Sequence, residues 1–168
     1  MRISEIANPL QVVIVSSEAE AEILGKKSVK KNMMVAAWHM PLSFDPPMYA
    51  VAIGKTRFSL GLIKKSKCFA VNFMPAEKEK EILFCGRTSG QTADKFRESG
   101  LTEEECEKIH CPRVKEALAW LECEVVEEVE AGDHIVFIGK VVNMAENNRA
   151  GIGTKRLFHL GGNNFGRL

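Results

Sequence analysis

Short runs of apolar, β-branched residues recur along the chain. Val12-Val13-Ile14-Val15, Met48 to Ile53, Phe69 to Phe73 and Leu121 to Val129 are bounded by polar or turn-forming residues. Their length and their Val, Ile and Phe content predict strands. His134 to Val142 is apolar on both faces in its first half, as expected of a central strand lying between the core and a partner surface.

Helical signals are fewer and sit in the middle of the chain. Phe58, Gly61, Leu62 and Lys65 share a face at helical spacing, Thr56 is placed to cap that helix, and Lys64-Lys65 suit its C-terminal end. Glu77 to Phe84 follows Pro75 and is rich in helix formers, while Thr92 to Ser99 ends at Gly100, a residue suited to a left-handed cap.

Strands gathered around a helical middle predict a mainly β fold with inserted helices, a closed or partly closed β-barrel rather than a doubly wound parallel sheet. The glycine pairs Gly151-Ile152-Gly153 and Gly161-Gly162 lie near the C-terminus. They do not join a first strand to a helix, so there is no dinucleotide fingerprint. With 168 residues and no linker or repeat, a single domain over 1–168 is expected.

Composition narrows the function classes. Lys plus Arg number 23 against 22 Asp plus Glu, a net charge of +1, so neither a nucleic-acid nor a membrane-surface binder is expected. No apolar run reaches the roughly 18–20 residues of a membrane span, and the N-terminus has no signal-like stretch, so a cytoplasmic address is expected. Five cysteines at irregular spacing read as reduced thiols. Cys106, His110 and Cys111 are the nearest approach to a metal site. Without a CxxC pair and with three donors only, no metal is expected there.

Four segments carry candidate chemistry. Asn32-Met33-Met34-Val35-Ala36-Ala37-Trp38 follows a turn rich in lysine (Lys26, Lys27, Lys30, Lys31) and contains small residues. These would let a planar heterocycle approach main-chain groups between Asn32 and Trp38; an ordinary edge strand would have the same composition. Lys55-Thr56-Arg57-Phe58-Ser59 opens the first helix with a hydroxyl, a cation and free N–H groups, the chemistry that holds a phosphate, although capping alone would explain Thr56.

Cys85 to Phe96, containing Gly86, Ser89, Gly90 and Lys95, has the make-up of a binding loop. It lacks the Gly-Lys-Ser or Gly-Lys-Thr step of a nucleoside-triphosphate loop. Gly132-Asp133-His134 places an imidazole beside a carboxylate at a strand start, able to hold an anion or move a proton. His39, His110 and His159 have no evident chemical companion. No nucleophile elbow or cysteine–base pair is present, so hydrolysis has no support.

Taken in order, Asn32 to Trp38, Ser43-Phe44-Asp45-Pro46-Pro47, Thr56, Phe69-Ala70-Val71-Asn72, Cys85-Gly86 with Ser89-Gly90, Asp94-Lys95-Phe96 and Gly132-Asp133-His134 resemble the flavin reductase-like family, which includes flavoredoxins. The resemblance spans almost the whole chain. It implies an FMN-binding split β-barrel of Greek-key type that forms a homodimer with FMN near the interface.

By the same resemblance, Asn32, Met33, Met34, Val35, Ala36, Trp38, Thr56, Arg57, Ser59, Ser89, Lys95, His134 and Phe165 surround the cofactor, and Thr56, Arg57 and Ser59 lie near its phosphate. Two departures stand out. Val35 and Ala37 replace a Thr and a Ser common in the family strand, and Gln91-Thr92 replaces Arg-Asp, so two hydroxyls and a cation are missing.

The activity implied is an oxidoreductase passing electrons from NADH or NADPH through FMN to flavin, a ferric chelate or a redox protein partner. The flavin would carry the chemistry, which accounts for the lack of a catalytic dyad. A non-enzymatic FMN carrier and a flavin-free binding module are the rival readings.

Overall fold

The computed structural model describes residues 3–147 and 153–168; Gly151 and Ile152 of the first glycine motif lie outside them. Among the described residues, twelve strands and four α-helices are arranged around one large antiparallel sheet. In chain order they are α1 (Ile3–Ile6), β1 (Leu10–Gln11), β2 (Val13–Ile23), β3 (Lys26–Ala36), β4 (His39–Phe44), β5 (Pro47–Gly54), α2 (Phe58–Ser66) and β6 (Cys68–Phe73). A 3-10 turn at Ala76–Lys78 leads into α3 (Glu79–Arg87) and α4 (Lys95–Ser99), then β7 (Glu103–Glu105), β8 (Pro112–Val114), β9 (Ala119–Ala131), β10 (His134–Glu146), β11 (Leu157–Gly161) and β12 (Asn164–Arg167).

The large sheet has the order β3-β2-β6-β9-β10-β5-β4. Its hairpins are local, but β6 returns beside β2 and β10 beside β5, so the sheet is knitted by long-range pairings. It curls far enough for β3 to touch β5. The edge strands β3 and β4 do not pair with each other, so the barrel is not closed.

The strand β10 is paired on both sides, by β9 and β5, as its apolar run predicts. Strand β2 is buried on both faces at its start. Val13 and Val15 enter one core cluster with Val51, Ile53, Phe69 and Phe137, while Ile14 enters a second with Met33, Ile82, Phe96 and Trp120. A continuous apolar run is what such two-sided burial requires.

Three local expectations are corrected. Lys26, Lys27, Lys30 and Lys31 are not a turn: they lie in β3, and the turn is Leu24-Gly25. Thr56 does not cap α2; the N-cap is Arg57, without a side-chain cap bond, and the buried face is Ser59, Leu62 and Ile63, with Gly61 and Lys65 exposed. The third helix begins at Lys95 rather than Thr92, because the Asp94 carboxylate accepts the Arg97 N–H and fixes the start there. Gly100 ends it at φ +80, as its sequence position predicts.

Candidate functional site

The edge strand β3, the start of α2 and the loop from α3 to α4 enclose a cavity of about 290 Å³. That is near the lower end of the roughly 300–1,000 Å³ usual for small-molecule sites. Asn32, Met34 and Val35 form one wall, Thr56 to Ser59 a second, and Cys85 to Gly90 with Lys95 the third.

The wall from β3 is fastened to both neighbours by polar bonds. Asn32 is buried and its Nδ2 donates to Ser59 Oγ at 2.8 Å, joining the strand to the first turn of α2. Lys95 is only 4% exposed. Its Nζ donates to the carbonyls of Met33 and Cys85, both at 2.7 Å, joining the strand to α3. Gly90 passes so close that a Cβ there would overlap Asn32 Oδ1 and stand 2.9 Å from Phe58 Cδ1. Glycine at this position therefore follows from close approach.

Electrically the cavity is one-sided. Arg57, Arg87 and Lys95 line it, and no Asp or Glu does. Among the described residues neither Arg57 nor Arg87 has an ion pair. Burial brings the Lys95 ammonium down to about 8, with the Arg57 charge adding to the effect. Asn32 Oδ1 is buried without a hydrogen-bond partner. Unpaired cations, an orphaned acceptor and the N-terminus of a nine-residue helix together suit a ligand with an anionic end and an N–H or O–H donor.

Eight of the expected residues meet at this cavity: Asn32, Met34, Val35, Thr56, Arg57, Ser59, Ser89 and Lys95. Five do not line it. Met33 and Ala36 are buried in the two core clusters, on opposite faces of β3. Phe165, on β12, packs with the Met33 cluster and against His159.

Trp38 and His134 form a separate pair, ring centroids 4.7 Å apart, and His134 Nδ1 meets Asp133 Oδ1 at 2.6 Å. The two-residue turn Gly132-Asp133, with Gly132 at φ +59, sets His134 at the start of β10 opposite Gly54. A Cβ on Gly54 would lie 3.6 Å from His134 Nε2 and 3.7 Å from Arg57 Cγ. The pair thus stands one residue away from the cavity.

Arg87 and Thr88 line the site without having been singled out individually. Their signal was the glycine-punctuated loop itself, which does not say which side chains turn inward. His39, given no chemical role, bridges Tyr49 Oη at 2.6 Å and the Gln11 carbonyl at 3.0 Å.

The sequence profile described as "Flavin reductase like domain" matches residues 6–162. The chain belongs to the flavin reductase-like family. Among its relatives, a protein of Archaeoglobus fulgidus is 36% identical over 151 residues, 86% of this chain and 80% of that one. The reductase component of 4-nitrophenol 4-monooxygenase/4-nitrocatechol 2-monooxygenase of Rhodococcus opacus is 31% identical over 116 residues, 69% of this chain but 57% of that protein's length.

Among solved structures, the FMN-binding protein from Thermus thermophilus with bound p-hydroxybenzaldehyde superposes with a TM-score of 0.83 at 27% identity, covering 96% of this chain and 87% of the other. A flavin reductase-like chain is thus built here on a mainly β, incompletely closed barrel whose helices are inserted between strands. Among the described residues no helix is long and apolar enough to cross a membrane.

Proposed function

We propose that this chain binds FMN in the cavity between β3, α2 and the α3–α4 loop, and acts as a reductase that takes electrons from NADH or NADPH. The carrying observation is the one-sided charge of the cavity: Arg57, Arg87 and Lys95 line it with no acid among them. A phosphate monoester meets that demand, with charge-assisted bonds available from the two exposed guanidiniums and the N–H groups at the start of α2. The orphaned Asn32 Oδ1 suits the N–H or hydroxyl donors of the same ligand.

Bound flavin would supply the hydride and electron chemistry. The chain's own part is to hold the phosphate, fix the β3 wall through Asn32 and Lys95, and shelter the site. The reading is supported by a relative that is a monooxygenase reductase component and by a structural neighbour that is an FMN-binding protein. Free flavin, a ferric chelate or a redox protein would receive the electrons.

A homodimer is part of this reading. Trp38, Met40, Leu42 and Phe44 are exposed at alternate positions on and just before the edge strand β4, Phe44 by 98%. Exposed apolar side chains along an open sheet edge suit a second copy of the chain, which would add a wall to a cavity that is shallow in one protomer.

The test is spectral. Purified protein mixed with FMN should acquire protein-bound flavin absorption, which should then bleach saturably with NADH or NADPH under anaerobic conditions. Protein that takes up no FMN would sink the reading and favour a flavin-free binding module. Bleaching linear in nucleotide concentration would instead mark a carrier that receives its electrons from another protein.

A further inference from the structure

Two cysteines outside the cavity face each other at the end of the small sheet made by β7 and β8. The register runs Glu103↔Val114, Glu104↔Arg113, Glu105↔Pro112, so the next opposed pair is Cys106 and Cys111. The ladder continues to them: the Cys106 N–H donates to the Cys111 carbonyl at 3.1 Å. Directly opposed residues of an antiparallel pair have Cα atoms about 4.5–5.5 Å apart, inside the roughly 4.4–6.8 Å that a disulfide spans. Both are free thiols.

The four residues between them are held in place. Glu122, a buried carboxylate on β9, accepts the N–H of Glu107 at 3.0 Å and of Lys108 at 2.7 Å. Ile109 packs with Cys68 and Ala70, and His110 Nε2 pairs with Glu18 Oε1 at 3.2 Å. The two cysteines therefore sit at the ends of a short loop held by side chains of β2 and β9. Their surroundings differ. Cys106 is half-buried and reachable from solvent, whereas Cys111 is fully buried, its Sγ donating to the Ser16 carbonyl at 3.2 Å.

We propose that Cys106 and Cys111 form a peroxide-reactive dithiol that closes reversibly into an intramolecular disulfide. The accessible Cys106, as thiolate, attacks hydrogen peroxide. An S–O bond forms, the O–O bond breaks, and the departing hydroxide takes up the proton that the thiol released. The Cys111 sulfur then attacks the sulfenic sulfur. The S–S bond forms, the S–O bond breaks, and hydroxide leaves with the Cys111 proton as water. Two thiols lose two electrons and one peroxide becomes two waters. Burial keeps Cys111 away from peroxide and pushes its thiol up, so the first oxidation falls to the accessible Cys106, and Cys111 reacts because it is directly opposed to it.

The experiment is thiol counting and peptide mapping on the full chain treated with equimolar hydrogen peroxide. Two of the five thiols should be lost, the mapped link should join Cys106 to Cys111, and dithiothreitol should restore both. Cys111→Ser should leave Cys106 as a sulfenic acid that dimedone captures. Persistence of all five thiols, a link through Cys68, a bond between two chains, or sulfinic acid at Cys106 in the unaltered protein would overturn the proposal. Mapping is read on the unaltered chain, so the outcome does not depend on how the variant folds, nor on whether the protein binds flavin.

Discussion

The indole of Trp38 and the imidazole of His134 lie 4.7 Å apart, centroid to centroid, with their planes tilted by 35°. Trp38 sits in the bend between β3 and β4 and His134 at the start of β10, so the contact joins segments that only the curl of the sheet brings together. Asp133 holds the other side of the imidazole at Nδ1, which leaves Nε2 available to a ligand amide or phosphate. His134→Ala should raise the nucleotide concentration for half-maximal flavin reduction about 2- to 10-fold, the value of one ordinary hydrogen bond at about 0.5–1.5 kcal/mol. Anaerobic stopped flow reads this, and the bound-flavin spectrum should stay unchanged. An unaltered half-saturation would place His134 away from the nucleotide.

If FMN binds as proposed, Lys95 should make that binding depend on pH. Its ammonium is brought down to about 8 by burial and by Arg57, while the unfolded chain keeps the proton to near the ordinary lysine value of about 10.4. Between those limits the unfolded state binds more protons, so Lys95's contribution to the stability of the ligand-free protein rises with pH. FMN affinity should move the opposite way, falling as pH passes through about 8 and the site loses a charge. Fluorescence titrations from pH 7 to 10 test this. Lys95→Met should weaken FMN more than riboflavin, by up to about 1.5–3 kcal/mol if a charge-assisted bond is lost, and should flatten the pH dependence. A profile unchanged by Lys95→Met would assign it to another group.

Two glycine substitutions should differ in sign. Gly90→Ala places a methyl against Asn32 and Phe58, and overpacking of this kind costs about 1–3 kcal/mol. It should also break the Asn32–Ser59 bond and weaken FMN. Gly61→Ala lies on the exposed side of α2 with nothing within 4 Å of the new atom, and should stabilise by about 0.5–1 kcal/mol. Thermal melts of both variants, with and without FMN, make the comparison. Equal melting temperatures would mean that the α3–α4 loop yields freely.

How much of this was open to sequence reading depended on where each signal lay. Buried strands such as β6 and β10 were legible because two-sided burial demands continuous apolar runs. The tip of the β2–β3 hairpin was not, since Glu18, Glu20, Lys27 and Lys31 have the composition of a solvated loop and are strands only by pairing with each other. The cavity's segments were legible as motifs. Which residues of β3 border the cavity, Met34 and Val35 rather than Met33 and Ala36, depends on how the strand lies against α2 and the α3–α4 loop, which long-range packing decides. Phe165 was assigned by family position, and its packing behind the wall follows from the three-stranded sheet β1-β11-β12, which composition did not announce.

Phe44→Glu should separate the proposed dimer, since it sets a charge at the most exposed apolar position of β4. Sedimentation at micromolar concentration should shift from dimer to monomer, and FMN should be released in parallel as the second wall is lost. A monomer that retains full FMN occupancy would show that one chain completes the site alone.

The strand β2 leads two lives along one length. Its pairing with β6 covers only Ile14 to Ser16, whereas its pairing with β3 runs on to Ile23. Beyond Ser16 it belongs to a two-stranded ribbon whose opposed residues include Glu18 with Lys31 and Glu22 with Lys27. Such a ribbon opens locally at low free energy at its exposed tip, whereas buried Glu18, paired with Lys31, and the further pairs of Lys31 with Glu103 and Glu105 brace it nearer the root. Fraying should therefore start at the Leu24-Gly25 tip and travel inward until it meets the buried root, where Ser17 and Ser16 oppose Asn32 and Met33. The hairpin can breathe at its tip while the wall of the cavity stays shut.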